Sequence, residues 1–259
     1  MEFLKSSKRR SFFSELVYVL LNIALAVAIL GVVWAIASPV AAIALVLLSK
    51  WRVLAVRPRY WFANVQANLV DIIVSLSFVA LLYAASGAVI AQCVLTVLYV
   101  VWLLVVKPRS RQIFITIQAG SALFLGVTAL MIVSYDWPSV IVVALMWLIG
   151  YTTAKHVLNH YEEVHVDFYS LVWGLVVAEL GWLGYHWTFA YGLPGVGAIK
   201  LSQTAVVVLA VSFLAERVYT SYHKHGTVRS GDIILPALFS VSVIVLLLAF
   251  FNKLGVGAL

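Results

Sequence analysis

Charged side chains are scarce in this chain. They make up 10% of its 259 residues, while hydrophobic residues make up 64%. Ordinary soluble domains carry about 25% charged residues, so this balance excludes a soluble globular fold. Cysteine is nearly absent. The single one, Cys93, excludes an internal disulfide and gives no thiolate metal site. Inside an apolar run it reads as a small packing residue. Whole motif classes are missing as well. There is no phosphate-binding loop, dinucleotide fingerprint, GxSxG elbow or kinase motif set, and no selectivity-filter sequence. The last apolar segment has no lysine at its middle, which leaves a retinal Schiff base unsupported.

What is present is a series of long apolar runs separated by short basic stretches. That pattern predicts an all-α polytopic membrane protein, a bundle of about nine transmembrane helices with short loops. Residues 1–15, MEFLKSSKRRSFFSE, form a basic N-terminal arm, and residues 16–259 form the transmembrane domain. The expected spans lie at about 14–35, 39–56, 67–85, 88–106, 113–133, 139–157, 170–191, 199–219 and 232–252, each close to the roughly 20 residues a crossing needs. The first two come from a run too long for one helix and short for two. Ser38-Pro39 divides it, because proline is tolerated in a first turn but not inside a helix. The alternative is one tilted helix followed by a half-helix.

A net charge of +7 raises the question of a nucleic-acid partner. The positions of the charges answer it, because they sit between apolar runs as topology determinants do. With nine spans and a cytoplasmic N-terminus, Lys5, Lys8, Arg9, Arg10, Lys50, Arg52, Arg57 and Arg59 fall inside. So do Lys107, Arg109, Arg111, Lys155, Arg217, Lys224 and Arg229, which leaves only Lys200 and Lys253 of the 17 basic residues outside. The expected partners are the bilayer, anionic lipids at the cytoplasmic face, and a protein partner or second copy. The expected location is a plasma or inner membrane.

AVRPRYW at 55–61 and VVKPRSR at 105–111 share a basic-Pro-Arg core. Each has a tryptophan upstream (Trp51, Trp102) and a Gln-Ala pair downstream (Gln66-Ala67, Gln118-Ala119). They read either as a two-helix internal repeat, a feature of transporters, or as convergent interface chemistry.

Three groups of residues are candidates for function. Glu179 is the one acid near the middle of an apolar span, 170–191, and His186 lies roughly two turns on, on nearly the same face. An ionisable pair in lipid is costly, so it is expected to face inward as a proton or solute relay. The rival reading is a structural hydrogen bond to Asn22, Gln92, Thr96 or Gln118. The second group is His156, His160, Glu162 and His165, whose chemistry suits zinc or iron although HxxxH and ExxH are common spacings; a solvated face is the rival. The third is Asp71 with Arg57 and Arg59, a headgroup or ion site, or simply an acid at a helix start. The cofactor is left unassigned. The functional readings that follow are transport of a small solute or ion, coupled to protons through Glu179; a metal-dependent membrane enzyme using the histidine cluster; and a non-catalytic scaffold or accessory subunit.

Overall fold

The computed structural model describes residues 2–187, 190–193 and 196–250, with side-chain environments over 13–187 and 201–249. Lys253 lies outside the described residues, as do the side chains of Lys5, Lys8, Arg9, Arg10 and Lys200. Helices α1 (Glu2–Ala35), α2 (Val40–Ser49), α3 (Trp51–Leu54), α4 (Pro58–Ala67), α5 (Leu69–Ala84), α6 (Val89–Val101) and α7 (Gln112–Val133) come first. α6 continues into a π-helical turn, Trp102–Val106. α8 (Ser139–His160), α9 (Val166–His186), α10 (Gln203–His225) and α11 (Ser230–Phe250) follow. A short antiparallel hairpin, β1 (Ala190–Leu193) and β2 (Val196–Ser202), joins α9 to α10. It is the only departure from an all-α architecture among the described residues.

Among the described residues, seven helices are long and apolar enough to cross a membrane, or eight if the bent pair α4–α5 is one span. The chain is therefore an integral, multi-pass membrane protein, and the expected count of nine is corrected to seven or eight. The difference lies at the second expected span. Where 39–56 was expected to cross, α2 is ten residues, about 15 Å, against a hydrocarbon core of roughly 30 Å. The half-helix alternative describes this region better. α1 runs unbroken from Glu2 to Ala35 and so carries residues 2–15 of the basic stretch.

The chain divides into two compact units, Met1–Gln118 and Ala119–Leu259. In the first unit, helix breaks follow from local sequence. Pro39 disfavours the helical conformation in Ser38, and the Tyr83 hydroxyl donates to the released carbonyls of Ile36 and Ser38 at 3.0 and 2.9 Å. Pro58 opens α4 at its first position. At the polar run Asn64-Gln66-Asn68 the chain bends by 63° into α5, and Asn64 Nδ2 reaches the Val53 carbonyl at 2.7 Å. Pro108 cannot donate to the carbonyl four residues back. α6 ends instead in the π turn, closed by Lys107 N–H to the Trp102 carbonyl at 2.9 Å.

These contacts sort the first unit into two ends. Trp34 donates to Gln92 at 2.8 Å, and Tyr83 caps Ile36 and Ser38. At the opposite end Tyr18 reaches the Leu103 carbonyl at 3.3 Å, and Lys50 and Lys107 meet Asp71. α2 thus runs back beside α1 as a second span would, but over too few residues to cross unaided.

In the second unit α8 and α9 pack closely along small residues. A Cβ at Gly150 would lie 2.6 Å from the Val177 Cβ, one at Gly174 would lie 3.0 Å from the Trp147 carbonyl, and one at Gly181 would lie 2.5 Å from Met146 Cγ. Helices in lipid associate through such close approach of backbones. Gly226 takes a left-handed conformation, φ +67, and its N–H caps the Tyr222 carbonyl at 2.8 Å to end α10.

Candidate functional site

The most concentrated buried charge among the described residues is a three-residue cluster in the first unit. Lys50 follows α2 and is buried, with 5% of its side chain exposed. Asp71 lies in the first turn of α5 and Lys107 follows the π turn of α6. Lys50 pairs with Asp71 Oδ2. Lys107 Nζ reaches the same oxygen at 2.8 Å, and Trp102 Nε1 donates to Asp71 Oδ1 at 3.2 Å. Each contributor stands at a helix break: the end of α2, the α4–α5 bend and the π turn. Such breaks place backbone and charged side chains where a continuous helix cannot, and π turns recur at functional sites.

Two ammonium groups and one carboxylate leave the cluster with a net charge of +1 when all three are ionised. The two lysines respond in opposite ways. Burial pushes Lys50 down to about 8, with the Lys107 charge adding to the effect and Asp71 opposing it. Lys107 is also pulled down by burial, but the Asp71 carboxylate outweighs that, and it stands above the ordinary lysine value. The side chain of Lys107 is 34% exposed, so it keeps water that Lys50 has lost. Burial thus loosens the Lys50 proton, while the Asp71 carboxylate tightens that of Lys107.

The surroundings are ordered and polar at specific points. Gln118 Nε2 donates to the carbonyls of Val106, Lys107 and Arg109 at 2.7, 3.3 and 2.9 Å, which satisfies the groups freed by the π turn. Tyr99, three residues before Trp102 and on its face of α6, is 1% exposed and packs at a tilt against Phe78, with ring centres 5.0 Å apart.

Asp71 was expected to pair with Arg57 or Arg59. Its partners are lysines instead. Arg57 and Arg59 are exposed, and Arg59 stacks over Tyr60 at 5.7 Å. The Arg57 and Lys107 blocks look alike in sequence but occupy different environments. Lys107 joins the cluster and Trp102 is buried, whereas Trp51 is 65% exposed. The two blocks do not form equivalent sites.

Glu179 and His186 were expected to face inward. Both are exposed. Val177 and Gly181 lie on the face that packs against α8, and a residue two positions from either points about 200° away. His186 meets the rings of Trp182 and Tyr185 at 4.8 and 5.6 Å. The residues weighed as partners for Glu179 are engaged elsewhere: Asn22 with the Tyr18 carbonyl, Gln92 with Trp34 and Leu82, Thr96 with the Gln92 carbonyl, and Gln118 as above.

The histidine cluster is dispersed among aromatic contacts. His160 lies edge-on to Tyr161, His165 to Tyr169, and His223 to Tyr161. Glu162 turns the α8–α9 connection with a φ of +54. Among the described residues, no three His, Cys, Asp or Glu side chains form a group that could hold a metal ion.

The same connection carries a second polar feature. Glu163 accepts the Tyr219 hydroxyl at 2.5 Å and the N–H groups of Val164 and His165 at 3.1 and 3.4 Å. The Tyr219 hydrogen bond, reinforced by these backbone donors, holds its carboxyl below the usual range. It stands at the mouth of an open cavity of about 740 Å³ between α9 and α10. No protein-family model matches the chain, and no match is found among curated proteins or solved structures.

Proposed function

We propose that this is a membrane transport protein that moves a small solute or ion and exchanges a proton at the Lys50–Asp71–Lys107 cluster. The observation that carries this reading is a buried, net-positive ion cluster assembled at three helix breaks. Membrane carriers build solute and ion sites from interrupted helices, because broken backbone in lipid is tolerated only where protein or a solute satisfies it. Buried ionisable groups in spans mark ion and proton pathways. The cluster's positive charge favours an anionic solute. Loss of the Lys50 proton neutralises the cluster and releases that solute.

In this reading the basic end is cytoplasmic. Arg52, Arg57, Arg59, Arg109 and Arg111 are all exposed and lie in sequence beside the cluster lysines. The loops at the opposite end of the first unit, 36–39 and 85–88, contain no basic residue. The positive-inside rule then places the cluster end inside, where these arginines meet anionic lipid headgroups. The test is reconstitution into liposomes and recording of currents on solid-supported membranes with chloride, phosphate, acetate, sodium and alanine as probes. At least one probe, an anion, is expected to drive a pH-dependent current that empty liposomes lack. Silence with every probe in correctly inserted protein would leave the reading without support.

One observation favours a second reading, an accessory subunit. Glu179 stands mid-helix on an exposed face with Leu175, Trp182 and Leu183. Lipid contact there would cost a few kcal/mol even on mild insertion scales, about 2.5–3.5 for a central charge, so a covering protein surface would stabilise it. Under that reading Glu179→Leu abolishes co-purification of a second chain. Under the transport reading it leaves currents unchanged.

A further inference from the structure

The second unit contains a cavity that the cluster does not explain. It is an open cavity between α9 and α10, beside the α8–α9 connection. Its lining divides by chemistry. One end carries Glu163, the single acidic side chain of the lining among the described residues, which include no lysine or arginine there. The walls carry Tyr169 and Trp173 from α9 and Tyr219 and Tyr222 from α10. Further along α10 the lining is aliphatic, with Leu214 and Val218.

Glu163 is fixed rather than free. Tyr219 holds one carboxylate oxygen and two backbone N–H groups hold the other. Tyr219 is itself braced, stacked on His223 at 5.9 Å and edge-on to Tyr161 at 5.2 Å. Tyr161 is tied in turn to Thr220 at 3.0 Å. A carboxylate whose lone pairs are already shared has little capacity for a new strong hydrogen bond, but its charge remains. Aromatic faces around an anchored negative charge attract a cation that does not donate hydrogen bonds. An apolar wall leading away from it suits a hydrocarbon body.

We infer that the α9–α10 cavity binds an alkylammonium group, its cationic head among Tyr169, Trp173, Tyr219 and Tyr222 beside Glu163 and its apolar body along Leu214 and Val218. The proposal is independent of the transport reading, which rests on the first unit. The head group has two sources, the choline end of a zwitterionic lipid or a free organic cation, and they share this chemistry.

The test is equilibrium dialysis of radiolabelled octyltrimethylammonium against the full chain in a maltoside detergent at pH 8. Saturable binding is expected. It should weaken at least tenfold in Glu163→Gln and in Tyr222→Ala, while Tyr222→Phe, which keeps the ring, binds as wild type does. Glu162→Gln, one position away, should also bind normally and so controls for folding of the connection. The uncharged tert-butyl isostere should bind at least tenfold more weakly. Competition by dihexanoylphosphatidylcholine assigns the site to a lipid head; its failure to compete assigns a free cation. Absent binding, equal binding of the isostere, or unchanged binding in both Glu163→Gln and Tyr222→Ala would overturn the proposal.

Discussion

Lys107 Nζ lies 2.8 Å from Asp71 Oδ2, the oxygen that also receives Lys50. One carboxylate oxygen thus holds two ammonium groups, and the three residues come from three helix breaks. Removal of the shared acid therefore differs from removal of either base.

Asp71→Asn leaves the buried Lys50 and the half-buried Lys107 without their shared counter-charge. Breaking a buried pair by removing one partner costs roughly 3–5 kcal/mol, and Lys50 and Asp71 are only 5% and 12% exposed. Thermal unfolding in detergent should show Asp71→Asn as the least stable single variant of the cluster. The double variant Lys50→Met with Asp71→Asn should recover part of the loss. No loss in the single variant would mean the cluster carries little energy.

Stability should depend on pH in a window set by Lys50. Its folded value is about 8, against an ordinary 10.5. Between these values the unfolded chain binds a proton that the folded chain does not, so stability rises with pH from about 8 to about 10.5. Below that window both states are protonated and the burial penalty is complete. Lys107 is shifted the other way, so its contribution is lost only above 10.5. Melting temperatures measured from pH 7.5 to 10 should climb in wild type relative to Lys50→Met. Parallel curves would count against a depressed Lys50.

The α8–α9 contact separates a stiff neighbour from a yielding one. A Cβ at Gly150 meets Val177 at its branched Cβ, which cannot move without its backbone. A Cβ at Gly181 meets Met146 part-way along a flexible chain. Overpacking costs typically 1–3 kcal/mol, so Gly150→Ala should fall in that range and Gly181→Ala below it. The reverse order in thermal melts would show that the helices separate at the Gly150 level without resistance.

Sidedness can be read with cysteine labels in a Cys93→Ser background. Ser38 and Ser86 belong to one end of the first unit and Arg109 to the other. Ser86→Cys and Tyr135→Cys should react with an impermeant maleimide from outside. Arg109→Cys and Lys224→Cys should react only after permeabilisation. External reaction at Arg109→Cys would invert the proposed orientation.

Membrane class and most helix positions were legible in the sequence, because hydrocarbon demands long apolar helices wherever it is crossed. The breaks at Pro39, Pro58 and Pro108 were also legible, since proline acts locally. The span count was not. Whether Val40–Ser49 crosses depends on how far Lys50 is drawn in, and its acceptor is 21 residues away at Asp71. In the sequence Lys50 is one of the basic residues expected inside, and nothing near it in the chain shows that it is buried. The exposure of Glu179 was hidden for a related reason. The general cost of charge in lipid says that something must cover it, but not which face of α9 turns to α8. Gly174, Ala178 and Gly181 held that information, because they form the packing face and leave Glu179 opposite. Glu163 was passed over in favour of the histidines around it. Its significance comes from Tyr219, 56 residues on, a contact no spacing rule predicts.

The transport reading stands or falls on whether Lys50 exchanges a proton with solute movement. The measurement is the pH dependence of anion-driven current in liposomes containing wild type or Lys50→Met, matched for inserted protein. Lys50→Met keeps the Asp71–Lys107 pair, so the cluster loses its net positive charge together with the group that titrates near 8. The account predicts a wild-type current whose pH profile has a midpoint near 8, and at least a tenfold smaller, pH-insensitive current in Lys50→Met. Equal currents with the same pH profile in both proteins would contradict it.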